Sequence, residues 1–327
     1  MVDFQKLKEI IEQNETFLLT CHVNPDADAL GSEIAFAAIL KKLGKTVYIV
    51  NHSETPEYLK FLDYLNLVEK YEPEKHDRII DETDVLVAVD FNQSDRVVSM
   101  EKSFLKSPAL KICIDHHEEP HKIFDYLFTG TEFVATGEII YDFINETKII
   151  ELDENIALNL YSAIMTDTGS FRFERTTAKT HLIAAELLKF GLQPIEIYDK
   201  LYNQNEKSKI ILLGAALETI TTAHGGKVAY MTITRKMLDD AKADESEVDG
   251  FVNYCLSIKG VRVGLLFLEV KKGIKISYRS KGKIAINKLA AEFEGGGHTN
   301  ASGSRIYGGT LAEYQPKIIK AAKKYLD

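Results

Sequence analysis

The chain has 327 residues, 45% hydrophobic and 27% charged, the balance of a folded globular protein and not of a disordered one. At this length a single core rarely keeps growing, so two domains are expected. A net charge of −9 argues against a protein that coats long nucleic acid, yet the charge is uneven: from Leu217 onward 18 basic face 12 acidic residues, a net of +6, leaving −15 on the rest.

The opening MVDFQKLKEIIEQNE reads as an amphipathic helix without an apolar signal region, and no later run approaches the roughly 20 apolar residues of a membrane span. Cys21, Cys113 and Cys255 stand in apolar surroundings without CxxC spacing and read as reduced core residues. A cytoplasmic protein with no membrane partner is expected.

The first regular unit is an apolar run, Phe17 to His22, then a loop, then helical spacing from Ala29 to Leu43 stopped by Gly44. The unit recurs as TVYIVN with EYLKFLDYL, DVLVAVD with a polar stretch, and LKICIDHH with a loop. Strands that are apolar on both faces and alternate with helices predict a parallel sheet covered on both sides. Three of these strands run into ionisable residues: His22 with Asp26 and Asp28, then Asp90, then Asp115 with His116 and His117. Ligand sites of open α/β sheets lie at the carboxyl ends of strands, so these groups are expected to converge.

From Ala135 to about Asn205 the pattern is helical, broken by TDTGSFRF and GLQP. Beyond it KVAYMTIT, GVRVGLLFLEV and GIKISYRS alternate like antiparallel strands, with helices expected from Glu247 to Leu256, Ile284 to Phe293 and Ala312 to Tyr325. The expected organisation is α/β throughout: a parallel-sheet domain with helices on both faces over 1–188, a helical linker over 189–216, and a smaller α/β domain over 217–327.

HVNPDADALGS sets His22, Asp26 and Asp28 on one loop, and imidazole with carboxylate suits a divalent ion such as Mn²⁺. Pro25 with Gly31 would shape a tight turn that aims both carboxylates inward. The competing reading is an Asp that merely caps the next helix, but a cap does not call for a His and two Asp. Asp90 alone is a polar residue leaving a sheet, and Asp167 of MTDTGSFRF alone is a turn residue after a helix. DHH differs, because three adjacent titratable groups after LKICI are costly to bury unless they bind something or pair. Together two His and four Asp match the needs of two adjacent divalent ions, which about 3.5 to 4 Å apart can share a carboxylate, generate a nucleophile and clamp a phosphoryl oxygen.

In the rear domain Gly295, Gly296 and Gly297 would let the backbone approach an anion, and His298 adds a donor. Arg279 of SYRS could meet a phosphate bidentately or stack on a base. Arg172 of SFRF, read as a strand residue, is a further phosphate candidate, although such an arginine can equally pair on the surface.

The chain resembles the DHH phosphoesterases, specifically the DHH–DHHA1 subgroup that includes oligoribonucleases and pAp phosphatases. HVNPDADALGS, VAVD, DHH and TDTGSFRF stand in that family's order, and GGGHTNASG stands where its second domain's signature belongs. The resemblance implies one ion on His22, Asp26 and Asp90 and another on Asp28, Asp90, His116 and Asp167, with Asp90 bridging. It also implies Asp115 orienting a ligand imidazole, His117 contacting the scissile phosphate, and the DHHA1 domain gripping the nucleotide. The implied reaction is hydrolysis of short oligoribonucleotides or 3′-phosphoadenosine 5′-phosphate by a metal-bridging hydroxide, with Mn²⁺ preferred and Mg²⁺ possible, in a homodimer that takes no long duplex.

Three rivals are weaker. A family II inorganic pyrophosphatase would lack GGGH, and a processive single-strand exonuclease of the RecJ type would be longer. A non-catalytic nucleotide sensor or RNA-binding module would have lost a metal residue, and every matching position is filled by an ionisable one.

Overall fold

In the computed structural model, which describes residues 2–326, the chain divides between Gln204 and Asn205 into two units. The first runs α1 (Phe4–Gln13), β1 (Thr16–Cys21), α2 (Ala27–Lys42), β2 (Thr46–Asn51), β3 (Val68–Lys70), α3 (Pro73–Glu82), β4 (Val85–Val89), α4 (Glu101–Lys106), β5 (Leu110–Asp115), β6 (Tyr126–Thr129), α5 (Thr136–Thr147), α6 (Glu154–Asp167), α7 (Ala178–Leu188) and α8 (Pro194–Tyr202). The strands form one sheet in the order β3-β2-β1-β4-β5-β6, every neighbouring pair parallel.

Alternate residues of each strand serve two cores, which is why these strands are apolar throughout. Phe17, Leu19, Val85, Val87, Ile112 and Ile114 join a core with α1, α2, α5 and α6, while Leu18, Leu86, Ala88 and Cys113 join another with Ile80, Met100 and Phe104. The strand order turns about between β1 and β4, and at such a switch point a crevice opens at the carboxyl ends. His22 and Asp90 follow those two strands directly.

Two local expectations are corrected. Gly31 lies inside α2 and not in a turn: a Cβ there would meet Asn159 O at 2.6 Å, so the glycine lets α2 press against α6. EYLKFLDYL forms a 3-10 helix, Glu57–Leu62, rather than an α-helix. The segment 189–216 is shared between the units, α8 falling before the division and the next helix after it.

The second unit comprises α9 (Lys207–Glu218), β7 (Thr221–Ala223), β8 (Val228–Ile233), α10 (Arg235–Ala241), α11 (Val252–Ser257), β9 (Val263–Val270), β10 (Gly273–Ser280), α12 (Ile286–Ala291), β11 (Gly295–His298), β12 (Ala301–Tyr307) and α13 (Leu311–Ala322). Its sheet has the order β11-β12-β10-β9-β8-β7. β8 and β9 pair in parallel and not antiparallel as expected, since α10 and α11 intervene and make a crossover. The helix expected from Glu247 begins only at Val252, after a 3-10 turn over Glu245–Val248. One sheet face packs on α12 and α13, and the other, over its β8–β9 half, on α9, α10 and α11.

The three cysteines are buried and unpaired with one another. Among the described residues no helix is long and apolar enough to cross a membrane.

Candidate metal centre

His22 follows β1 with Nδ1 2.9 Å from Val23 O. A carbonyl only accepts, so Nδ1 is the donor in that contact, and Nε2 on the other edge of the ring lies 3.4 Å from Asp90 Oδ2. Asp26 does cap α2, Oδ1 accepting from the N–H groups of Asp28 and Ala29, and it also stands in the His22–Asp26–Asp90 cluster. Capping and site chemistry therefore coexist in one residue.

Asp28 is fully buried in the first turn of α2. Ser32 Oγ and the Gly137 N–H donate to its Oδ1 and the Thr136 N–H to its Oδ2, so the N-terminus of α5 holds this carboxylate. Glycine at 137 lets this end of α5 press against α6: a Cβ there would lie 2.6 Å from the Ala163 Cβ. Asp90 takes a left-handed backbone (φ 62°), which Asp adopts more readily than most residues, and Thr136 Oγ donates to its Oδ1 at 2.8 Å.

His116 Nε2 lies 3.2 Å from Asp167 Oδ2, 3.6 Å from Asp90 Oδ1 and 3.7 Å from Asp28 Oδ2. Three donor sets, His22–Asp26–Asp90, Asp28–His116–Asp167 and Asp90–His116–His117, each bring one atom per residue within 4.8 Å of the others.

Electrostatics bear on whether this set fits a divalent ion. Burial, with repulsion from Asp26, pushes Asp28 up to about 7 against its three hydrogen bonds. Burial and the charges of Asp28 and Asp26 raise Asp90 well above the carboxylate range, and burial with Asp28 and Asp90 does the same to Asp167. Burial, with the neighbouring His117, brings His116 down to about 4, so its imidazole is neutral at pH 7 with a lone pair to give. Clustered acids short of positive charge beside the neutral imidazole of His116 are the donor chemistry of Mn²⁺ and related ions, and the residues fit.

Asp115 ends β5 and grips the ring of His117 rather than that of His116, with Oδ1 2.6 Å from His117 Nδ1. Desolvation works to lower His117, but this bond and the nearby Asp90 outweigh it and carry the imidazole above its ordinary value.

Arg172 lies in a turn rather than a strand; its Nε donates to Gly169 O at 2.6 Å and its guanidinium stands over Phe173. The arginine whose charge acts on Asp167 and His116 is Arg175, anchored on Thr131 O and Phe133 O. Sequence reasoning missed it, along with Thr136 and Gly137, and only ATGE, a small-residue helix start, could have hinted at the latter pair.

In the second unit GGGH is an edge strand and not a loop. Register sets Ala301 opposite both Arg279 and His298, so these two flank it on one face. Gly295 and Gly297 answer to strand pairing, since a Cβ would lie 2.3 Å from Gly303 O or 2.7 Å from Ala301 O, whereas a Cβ on Gly296 would meet nothing within 4 Å.

The DHH family N-terminal domain matches residues 16–164 and the DHHA1 domain residues 225–327. A Thermus thermophilus protein named bifunctional oligoribonuclease and PAP phosphatase NrnA is 31% identical over 312 residues, spanning 94% of this chain and 89% of that protein. The chain belongs to the DHH family. A Bacillus subtilis protein of the same name is 30% identical, across 92% of this chain and 93% of its own. The crystal structure of an exopolyphosphatase-related protein from Bacteroides fragilis superposes with a TM-score of 0.90 at 31% identity, covering 99% of this chain and 95% of that one. With its DHH and DHHA1 domains the chain is a phosphoric ester hydrolase.

Proposed function

We propose that this DHH enzyme hydrolyses very short oligoribonucleotides and adenosine phosphates such as 3′-phosphoadenosine 5′-phosphate with the help of two divalent ions. The observation that carries the reading is the Asp90 carboxylate, whose Oδ2 faces His22 while Oδ1 faces His116, so that one acid belongs to two donor sets. His22, Asp26 and Asp90 would hold one ion, and Asp28, Asp90, His116 and Asp167 the other, with Mn²⁺ better suited than Mg²⁺ to imidazole. Bound ions would polarise a phosphoryl oxygen and make water nucleophilic at neutral pH.

The chain's own groups supply orientation and charge. His117, held by Asp115, presents its far ring edge and donates a hydrogen bond to a phosphate oxygen as charge develops. Arg279, His298 and the backbone of Gly295 to Gly297 hold the nucleotide, and Arg172 is a secondary phosphate contact. The names of the Thermus and Bacillus relatives support the substrate class. A cytoplasmic location and a homodimer belong to the same proposal.

The test is a side-by-side rate comparison with Mn²⁺ on pAp, pApA, a five-mer and a twenty-mer RNA. Turnover of the short substrates, a steep fall for the twenty-mer and arrest by chelator are expected. Equal rates on five-mer and twenty-mer, or turnover that survives chelation, would defeat the reading.

A further inference from the structure

On one face of the β10–β12–β11 half-sheet the register lines outward residues into rows. Arg279, Ala301 and His298 make one row, Ser277, Gly303 and Gly296 the next, Lys275 and Arg305 a third, and Gly273 and Tyr307 a fourth. On β9 the same face, with Leu266 and Leu268, is buried in the core with α9, α10 and α11. Past β10 that cover ends: Lys275, Gly296, His298, Gly303, Arg305 and Tyr307 are all exposed.

Two glycines in the floor of this strip are not required by packing. A Cβ on Gly296 would meet nothing within 4 Å, one on Gly303 would meet only Ile276 O at 3.6 Å, and neither backbone is left-handed. Glycine inside a strand costs conformational entropy and marks places where another chain or ligand comes close. Here the two sit opposite one another and leave the centre of the strip free of side chains.

The flanks are basic. Outward positions of the three strands carry Arg279, His298, Lys275 and Arg305 and no acid; Asp249, ahead of α11, is the acid whose charge reaches Arg279. Arg305 lies over the ring of Tyr307, which is 71% exposed, and a hollow lined by Lys271, Lys272 and Tyr307, with the single acid Glu269, opens at that end. A basic groove with an aromatic platform is how single strands are held without regard to sequence. Arg279 and Lys275 are four residues apart along β10, about 13 Å, room for more than one nucleotide.

We propose that this strip is the track for the further nucleotides of a short single-stranded oligoribonucleotide. Its backbone lies over Gly296 and Gly303, a phosphate meets Lys275 and Arg305, and a base stacks on Tyr307. The proposal rests on the reading that Arg279 and His298 hold the substrate's first nucleotide.

Fluorescence anisotropy on the full chain, in EDTA so that nothing is cleaved, tests it with a labelled five-mer RNA and a labelled dinucleotide. Lys275→Ala/Arg305→Ala and Gly303→Leu should each weaken five-mer binding at least about tenfold and leave dinucleotide binding within about twofold. If Gly303→Leu fails to fold, the double variant decides alone. Unchanged five-mer affinity in the double variant overturns the track, and so does an equal loss on both ligands. Dinucleotide turnover by the unaltered protein with Mn²⁺, and its loss in Asp90→Ala, reports on the proposed function separately, so the two readings fail independently.

Discussion

Asp115 Oδ1 lies 2.6 Å from His117 Nδ1, and the other oxygen of the same carboxylate accepts the His117 backbone N–H at 3.2 Å. One acid thus fixes both ring and backbone of the histidine and leaves the opposite ring edge free. Asp115→Asn should lower kcat about 10- to 100-fold with bound metal unchanged, as for other residues that orient a functional ring. His117→Ala should also act on kcat, whereas Arg279→Ala should chiefly raise KM, by the roughly 1.5 to 3 kcal/mol of a charged hydrogen bond. Steady-state kinetics on pApA with elemental analysis of bound metal measures all three. Loss of metal in Asp115→Asn would move that residue into the ligand set.

Asp90 is the acid common to two donor sets. Asp90→Ala should abolish turnover and reduce the metal bound at both sites, while Asp28→Ala should empty chiefly one. Titration of Mn²⁺ by calorimetry gives the stoichiometry. Full metal content in Asp90→Ala would end its bridging role.

Glu33 is fully buried, its Oε2 accepting from Asn51 Nδ2 at 2.8 Å, while Asn51 Oδ1 accepts the Cys21 N–H just before His22. Burial pushes its carboxyl from 4.5 up to about 8, against the Asn51 bond. The folded chain therefore keeps a proton that the unfolded chain gives up, and stability falls as pH rises from about 4.5 to about 8, at most about 1.4 kcal/mol per pH unit. Glu33→Gln, which resembles the protonated acid, should flatten the decline of the metal-saturated melting temperature across that window. An identical decline in both proteins would assign the effect to other groups.

Gly31 and Asn159 bring α2 and α6 into backbone contact, and these helices carry Asp28 and Asp167. Gly31→Ala sets a Cβ 2.6 Å from a carbonyl oxygen that cannot fold away. It should destabilise the first unit by about 1 to 3 kcal/mol, the usual cost of overpacking, and slow turnover as the two acids separate. Thermal denaturation and kcat check both halves, and an unchanged melting temperature would mean that the helices part freely.

What is local and periodic could be read from the order of residues alone. Strands apolar on both faces announced a doubly covered parallel sheet, and polar residues directly after them marked its ligand end, which made His22, Asp26, Asp28, Asp90 and His116 candidates, with Asp167 added from the end of a helix. Tertiary structure decided what depends on neighbours distant along the chain. That Asp115 serves His117, that the start of α5 holds Asp28, that Arg175 rather than Arg172 acts on Asp167, and that β8 runs parallel to β9 all follow from packing across many intervening residues. The glycines divide the same way. GGG was legible as unusual, but only strand register separates Gly295 and Gly297, which the sheet has no room to replace, from Gly296, which it could. A side chain's neighbours along the strand are written in order, whereas its neighbours across the sheet are set by pairing, which local sequence does not encode.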